Sequence, residues 1–298
     1  MNLEQLVNDL SEQPNKTVAL AAAADKGVIE AVRKAIMMQL ASFILYGDQH
    51  ELKRMLAEEG LNESPFLQIV HVESEQEASR MAVKAVSNGE ADVLMKGMVS
   101  TSVILKEVLN KEYGLRKGKV LSHVAAFDIE GYERLIFVTD SGMNIEPDLT
   151  QKVEIVKNAV SIARSIGIEL PKVVPLAAVE VVNPAMQATL DASALTQMNK
   201  RGQISDCLID GPLALDNAIS EKAAEQKGIH SEVAGKADIL LVPSIEVGNA
   251  LYKSLVYFAH AKVGGVIAGA KAPIVLTSRA DSSESKVYSI ALAVSSAK

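Results

Sequence analysis

The stretch Ala272–Lys286, APIVLTSRADSSESK, sets the reading of the whole chain. Its first part, Pro273-Ile274-Val275-Leu276-Thr277, is β-branched and uninterrupted, which predicts a short buried strand. Ser278 and Arg279 follow at the strand's end. Asp281 or Ser282 then opens a helix carrying Val287, Ile290, Ala291 and Val294. A strand that feeds directly into a helix is the unit of an α/β fold, in which ligands gather beyond the carboxyl ends of the strands. The helix start supplies backbone N–H groups and the positive end of the dipole. Arg279 adds a fork matched to phosphate or carboxylate. The stretch points to an anion site; the plain alternative is that Ser278 and Arg279 are ordinary loop residues.

Upstream, the same alternation recurs. Thr17–Ala21 reads as a strand, followed by helical spacing through Val28, Ile29, Val32, Ile36 and Leu40. Ser42–Tyr46, Phe66–Val72 and Ala91–Met95 read as further strands, the second followed by a capping pair, Ser74 and Glu77. Ser122–Ile129 and Arg134–Thr139 predict a hairpin across Glu130-Gly131-Tyr132. Asp148 caps a helix through Val153, Val156, Val160 and Ile166. Strands are predicted at Lys172–Val179, Cys207–Asp210 and Ala237–Val242. Helices are predicted from Pro184 onward, over Ala214–Gln226 and over Gly248–Ala261. This regularity argues for an α/β fold with doubly wound, mostly parallel sheets. With the hairpin taken as the junction, the domains are 1–129 with 266–298, and 130–265.

Composition agrees. At 298 residues, one large or two medium domains are expected. Apolar residues make up 48% and aromatics 4%, with no Trp, so the core must be Val, Ile, Leu, Ala and Met. Such a core suits parallel strands covered by helices. The net charge of −7 and the lack of a basic stripe exclude a nucleic-acid partner. Cys207 is the single cysteine, so an internal disulfide and a cysteine-rich metal site are both excluded. The N-terminal MNLEQLVNDLSEQ reads as an acidic amphipathic helix and not a signal peptide. No apolar run approaches the roughly 20 residues that span a bilayer. A cytoplasmic protein without a membrane partner is expected.

The motifs of several enzyme classes are missing. Ala21–Gly27, AAAADKG, follows the first strand where a dinucleotide-binding fold carries Gly-x-Gly-x-x-Gly. Walker A and Gly-x-Ser-x-Gly sequences are also missing. His50, His71, His123, His230 and His260 lack metal-ligand spacing and read as surface or packing residues. Cys207, inside an apolar strand, reads as buried and inert. The strand ends carry the chemistry: Lys96 with Gly97, Ser141 and Asn144, Asp210-Gly211-Pro212, and Gly248 and Asn249 with Lys253 one turn on. Each could merely shape a turn. Together they line a sheet edge with hydroxyls, backbone N–H groups and cations, which suits a phosphate-bearing ligand.

These blocks also carry a resemblance. LMKGMVST around Lys96, LSHVAAF around Ser122, TDSGMN around Asp140, and LTSRADS around Ser278 stand in order with Asp210-Gly211-Pro212-Leu213 and Val233–Asp238. Pro243, Gly248-Asn249 and Tyr252-Lys253 complete the set. From about Val18 to the C-terminus the chain resembles the phosphate acetyltransferase and phosphate butyryltransferase family, in wording its butyryl branch. The resemblance implies an isocitrate-dehydrogenase-like fold of two α/β domains flanking a cleft. It implies reversible transfer of a short acyl group, butyryl or branched-chain, between coenzyme A and inorganic phosphate, by direct attack in a ternary complex. It implies no metal and no cofactor, coenzyme A being a substrate, and acyl-CoA and acyl phosphate as the small-molecule partners.

The family's Ser-Arg pair falls on Ser278 and Arg279. Arg279 would bind the phosphoryl group and Ser278 would hydrogen-bond the thioester carbonyl or the thiol. The acetyl branch is thought to use an aspartate seven residues after the serine as base; here that position is Ser285. Asp281 and Glu284 are the nearby carboxylates. Either could be the base, or the two could form a local Asp-x-x-Glu cap. A phosphate acetyltransferase is the first alternative, an NAD-dependent dehydrogenase of the same fold the second, and a non-catalytic binder of coenzyme A or acyl phosphate the third. A homodimer or higher homo-oligomer is expected from the prevalence of closed symmetric forms.

Overall fold

The computed structural model of the chain describes residues 1–11, 16–61, 64–278 and 281–298. Its first helix, α1 (Leu3–Leu10), buries Leu3, Leu6, Val7 and Leu10 at helical spacing. Then follow β1 (Lys16–Ala21), α2 (Lys26–Met37), β2 (Ala41–Gly47), α3 (Gln49–Glu58), β3 (Leu67–His71), α4 (Glu75–Ser87), β4 (Val93–Lys96) and α5 (Thr101–Val108). Helices α2 to α5 start where Asp25, Asp48, Ser74 and Ser100 each accept a backbone N–H that the helix itself cannot satisfy.

The middle of the chain forms β5 (Ser122–Asp128), β6 (Ile136–Thr139), α6 (Leu149–Ser165), β7 (Lys172–Pro175), α7 (Gln187–Lys200), β8 (Leu208–Ile209), α8 (Leu215–Ile219), α9 (Glu221–Gln226), β9 (Ile239–Leu241) and α10 (Ile245–Tyr257). The chain closes with β10 (Lys262–Ala268), β11 (Ile274–Val275) and α11 (Ser283–Ser296).

Two compact units result. Residues 3–118 and 263–298 form one; residues 119–262, with Met1 and Asn2, form the other. In the first unit the strands run β3-β2-β1-β4-β11-β10, parallel except for β10 against β11. In the second they run β5-β6-β9-β7-β8, parallel except for the β5–β6 hairpin. That hairpin explains why the crossing falls at 118/119 and not at 129/130: its two strands bond to each other and stay in one unit. In the first unit the chain leaves β1 toward β2 and β3, then returns to pair β4 on the other flank of β1. The switch point of the sheet is therefore the β1–β4 seam, with Ala21 opposite Lys96 at its carboxyl end.

Four local differences from the sequence reading have physical causes. Strand β10 is hidden by Gly264-Gly265 within its apolar run; a Cβ on Gly264 would lie 2.8 Å from the backbone carbonyl of Tyr288 in α11, so close helix packing requires the glycine. Helix α5 is only two turns long, too short for a clear period. Helix α7 begins at Gln187 and not at Pro184, because Ala185 N–H donates to Asn183 Oδ1 at 2.9 Å and closes a turn there. The single helix expected over 214–226 is broken at Ser220, whose hydroxyl caps α9.

The second unit buries an ion pair. Lys152 Nζ lies 2.5 Å from Asp191 Oδ2, and Gln187 Nε2 donates to the other carboxylate oxygen at 2.8 Å. Saturating the carboxylate in this way offsets its loss of water. Cys207 is 4% exposed, and burial, with Asp206 next to it, pushes its thiol pKa up to about 11.

Two outcomes are expected. Gly97→Ala drives a methyl to 2.1 Å from the Ala22 carbonyl oxygen. Overpacking of this kind costs about 1–3 kcal/mol or more, so a thermal melt of a chain this long should fall by at least about 2 °C; an unchanged melt would contradict the packing. Cys207 should react with DTNB far more slowly in the native chain than after denaturation, whereas rapid stoichiometric labelling of native protein would contradict its burial.

Candidate active site

In the first unit, three adjacent strands, β1, β4 and β11, each release the chain into a loop followed by a helix. The β1 loop turns at Ala22, whose φ of 54° is the left-handed region, and ends at Asp25, which accepts Val28 N–H at 2.9 Å. The β4 loop lies directly on it: Gly97 and Met98 N–H donate to the Ala21 and Ala22 carbonyls at 2.8 and 2.7 Å. Lys96 is buried, and its ammonium donates to the Gly97 and Val99 carbonyls at 3.1 Å each. The chain next to these loops, after β11, is the Ser278 segment. Helices α2, α5 and α11 therefore all start at one sheet edge, α11 packed against α2 and α5 against α4, and their N-terminal dipole ends add to the Lys96 charge.

Ser278 is exposed. Its backbone N–H donates to Asp281 Oδ2 at 2.7 Å, and Asp281 N–H donates back to the Ser278 carbonyl at 3.2 Å. Asp281 is not the helix cap: Ser282 accepts Ser285 N–H at 3.0 Å and performs that role. Glu284 accepts the Tyr288 hydroxyl at 2.9 Å and does not return to cap the helix. The Asp-x-x-Glu box considered for this pair is thus replaced by a serine cap, and both carboxylates hold local hydrogen bonds. Arg279 lies outside the described residues. Lys286, one turn into α11, is 3% exposed and donates to the Asp281 backbone carbonyl.

The second unit builds another polar cluster, where β6 ends and β5 begins. Asp140 is buried, and its carboxylate accepts N–H groups from Gly142, Met143 and Asn144 at 2.9 to 3.2 Å. Asn144 Nδ2 donates to the same carboxylate at 2.6 Å and to the Leu121 carbonyl at 2.8 Å, so this side chain fixes the loop. Ser141 Oγ lies 2.7 Å from His123 Nδ1. The His123 ring stands 6.0 Å from Tyr252 of α10, which meets Phe127 edge-on at 5.2 Å. A Cβ on Gly248 would lie 2.6 Å from the Asp140 carbonyl oxygen, so glycine is what lets α10 pack on this loop.

Ser141, Asn144 and Gly248 are thereby brought together. Asn249 and Lys253 lie on exposed positions of α10. Asp210-Gly211-Pro212 is elsewhere: it follows β8, which β9 and β7 separate from β6. Gly211 accepts from Thr196 Oγ1 at 3.3 Å.

Two residues escaped the sequence reading. His123 reads from the sequence as a surface or packing residue, yet its Nδ1 lies 2.7 Å from Ser141 Oγ and ties it to that loop. Its place within the LSHVAAF block was the available signal. Lys286 falls on the buried stripe of α11 with Ile290 and Val294, at spacings of four; a lysine on that stripe was the legible anomaly. Among the described residues, no three His, Cys, Asp or Glu side chains are grouped as a metal ion would require. No described helix is long and apolar enough to cross a membrane.

Comparison with known proteins places this arrangement. The family model described as phosphate acetyl/butaryl transferase matches residues 68–294. A probable phosphate butyryltransferase of Bacillus subtilis (strain 168) is 55% identical over 294 residues, covering 99% of this chain and 97% of that protein. A phosphate acetyltransferase of Thermotoga maritima is 48% identical over 292 residues, covering 98% of each. The crystal structure of a branched-chain phosphotransacylase from Enterococcus faecalis V583 superposes with a TM-score of 0.84 at 38% identity, over 94% of this chain and 98% of that one. With matches of this extent, and with the Ser278 segment and the Asp140 loop standing where its motifs predicted strand ends, the chain belongs to the phosphate acetyl/butyryl transferase family.

Proposed function

We propose that this chain transfers a short acyl group, butyryl or branched-chain, reversibly between coenzyme A and inorganic phosphate. The observation that carries the reading is the Ser278 segment: an exposed serine at the carboxyl end of β11, at an edge where three helices start and Lys96 is buried. A phosphate oxygen attacks the thioester carbonyl carbon; the carbon–oxygen bond forms, the carbon–sulfur bond breaks, and coenzyme A leaves as its thiolate. In reverse, the thiolate attacks acyl phosphate and phosphate leaves. Negative charge gathers on the carbonyl oxygen as either nucleophile adds. Ser278 Oγ–H is the donor we assign to it. Arg279 is assigned to the phosphoryl group, which its planar fork suits.

The helix starts and Lys96 raise the potential at this edge, which favours phosphate, acyl phosphate and thiolate alike. We assign no residue as an obligatory base, since a thiolate favoured in this way needs none. The transfer is redox-neutral, so the reading calls for no resident cofactor. It places the protein in the cytoplasm with its acyl-CoA substrate. It also carries a homodimer: α10 leaves Tyr257 67% and Phe258 86% exposed, an apolar patch suited to a second copy. Light scattering should give twice the 31.8 kDa chain mass, reduced by Phe258→Glu; a monomeric wild type would contradict the assembly.

A second reading, phosphate acetyltransferase, is favoured by the 48% identity to the Thermotoga protein. The test is thiol release, read with DTNB, over acetyl-, propionyl-, butyryl- and isobutyryl-CoA, with and without phosphate. The expected result is phosphate-dependent release that favours the four-carbon substrates. Selectivity per methylene should be modest, since one methylene is worth only about 1–3 kcal/mol. Ser278→Ala should lower kcat roughly 100- to 1,000-fold. Arg279→Ala should raise KM for phosphate roughly 10- to 100-fold, the worth of a charge-assisted hydrogen bond. A preference for acetyl-CoA would select the second reading, and release independent of phosphate would exclude both.

A further inference from the structure

Lys286 presents an unusual balance of forces. Its ammonium sits in the first turn of α11, 3% exposed, where the positive end of the helix dipole already opposes a cation. It lies beside the start of α2 as well: a Cβ on Gly27 would be 3.8 Å from Lys286 Nζ and 3.4 Å from Asp25 Oδ1. A buried ammonium between two helix starts carries a desolvation penalty that a methionine of similar size would avoid. Its hydrogen bond goes to the backbone carbonyl of Asp281. The Asp281 side chain in turn accepts the Ser278 N–H at 2.7 Å. A continuous chain of bonds therefore runs from a helix-anchored cation, through Asp281, to the backbone of Ser278.

We propose that Lys286 and Asp281 are positioning residues for Ser278, Lys286 fixing the Asp281 peptide and the Asp281 carboxylate fixing the Ser278 amide. The inference rests on the acyl-transfer reading of Ser278 and deepens it. Asp281 acts as a hydrogen-bond acceptor and not as the proton acceptor for the thiol. Its Oδ2 is engaged by the Ser278 N–H at 2.7 Å, which sets the carboxylate against the loop backbone. The helix itself does not need the pair, because Ser282 already caps α11. A loop hinge this close to the reacting group matters greatly, since a displacement of about 1 Å can lower a rate roughly 100-fold.

The experiment has two readouts on the full chain: exchange of the Ser278 amide followed by NMR, and kcat for phosphate-dependent thiol release from butyryl-CoA. Four proteins are compared: wild type, Asp281→Asn, Asp281→Ala and Lys286→Met. Asparagine keeps an acceptor oxygen, so Asp281→Asn should retain Ser278 protection and kcat within about fivefold. Asp281→Ala and Lys286→Met should each speed Ser278 exchange about tenfold or more and lower kcat roughly 10- to 100-fold. The melting temperature of Lys286→Met should stay level or rise, which separates lost positioning from lost folding. Unchanged Ser278 exchange in both variants would overturn the inference whatever the activity. So would Asp281→Asn losing as much kcat as Asp281→Ala with Ser278 still protected, which would make Asp281 the base. If wild type releases no thiol, the acyl-transfer reading fails, while the exchange comparison still decides whether the two residues hold Ser278.

Discussion

Parallel pairing of β4, with β1 on one side and β11 on the other, is the constraint from which the rest follows. Parallel neighbours share a carboxyl edge, and each must leave it by a loop. Three loops therefore crowd one edge, and each delivers the start of a helix: α2, α5 and α11. The crowding explains the sequence at those points. Gly97 is required because its backbone lies on the Ala22 carbonyl. Ala22 takes a left-handed turn beneath it. Lys96 folds back onto the Gly97 and Val99 carbonyls and fixes the second loop. The outcome is an edge that gathers three helix starts, a buried lysine and an exposed hydroxyl, features that suit an anionic acyl donor and an anionic acceptor.

The second unit reaches a comparable end by other means. Here one buried carboxylate, Asp140, organises a loop by accepting four hydrogen bonds. The glycine at 248 lets α10 close on it, and His123, Ser141 and Tyr252 are set in fixed relation. Asn144 and Asp140, polar residues at a strand end, are thus held by the loop's own hydrogen bonds. A polar residue at a carboxyl edge is a candidate for chemistry, yet its own hydrogen bonds decide what it is left to do.

Much of this was legible in the sequence. Continuous apolar runs such as Val18–Leu20 and Ile274-Val275 marked buried parallel strands, because only a strand covered on both faces can be apolar throughout. Ser74 and Asp148 announced helix starts through side chains that can accept a backbone N–H. What remained hidden depended on long-range contacts. Gly264 breaks an apolar pattern only because α11 passes over it, and Ser220 divides a helix only because its hydroxyl starts another. The Asp281–Glu284 spacing fitted a cap, but Ser282 was equally able to supply one, and local sequence does not rank the two. Lys286 stood on an apolar stripe without any sign in sequence of the carbonyl that receives it.

The central claim is acyl transfer to phosphate, and the product tests it most directly. Butyryl-CoA, phosphate and the full chain are incubated, and hydroxylamine is added to trap any acyl phosphate. The account predicts butyryl hydroxamate in step with released coenzyme A, and none when phosphate is omitted. Free butyrate with released coenzyme A and no hydroxamate would show water, not phosphate, as the acceptor and would contradict it.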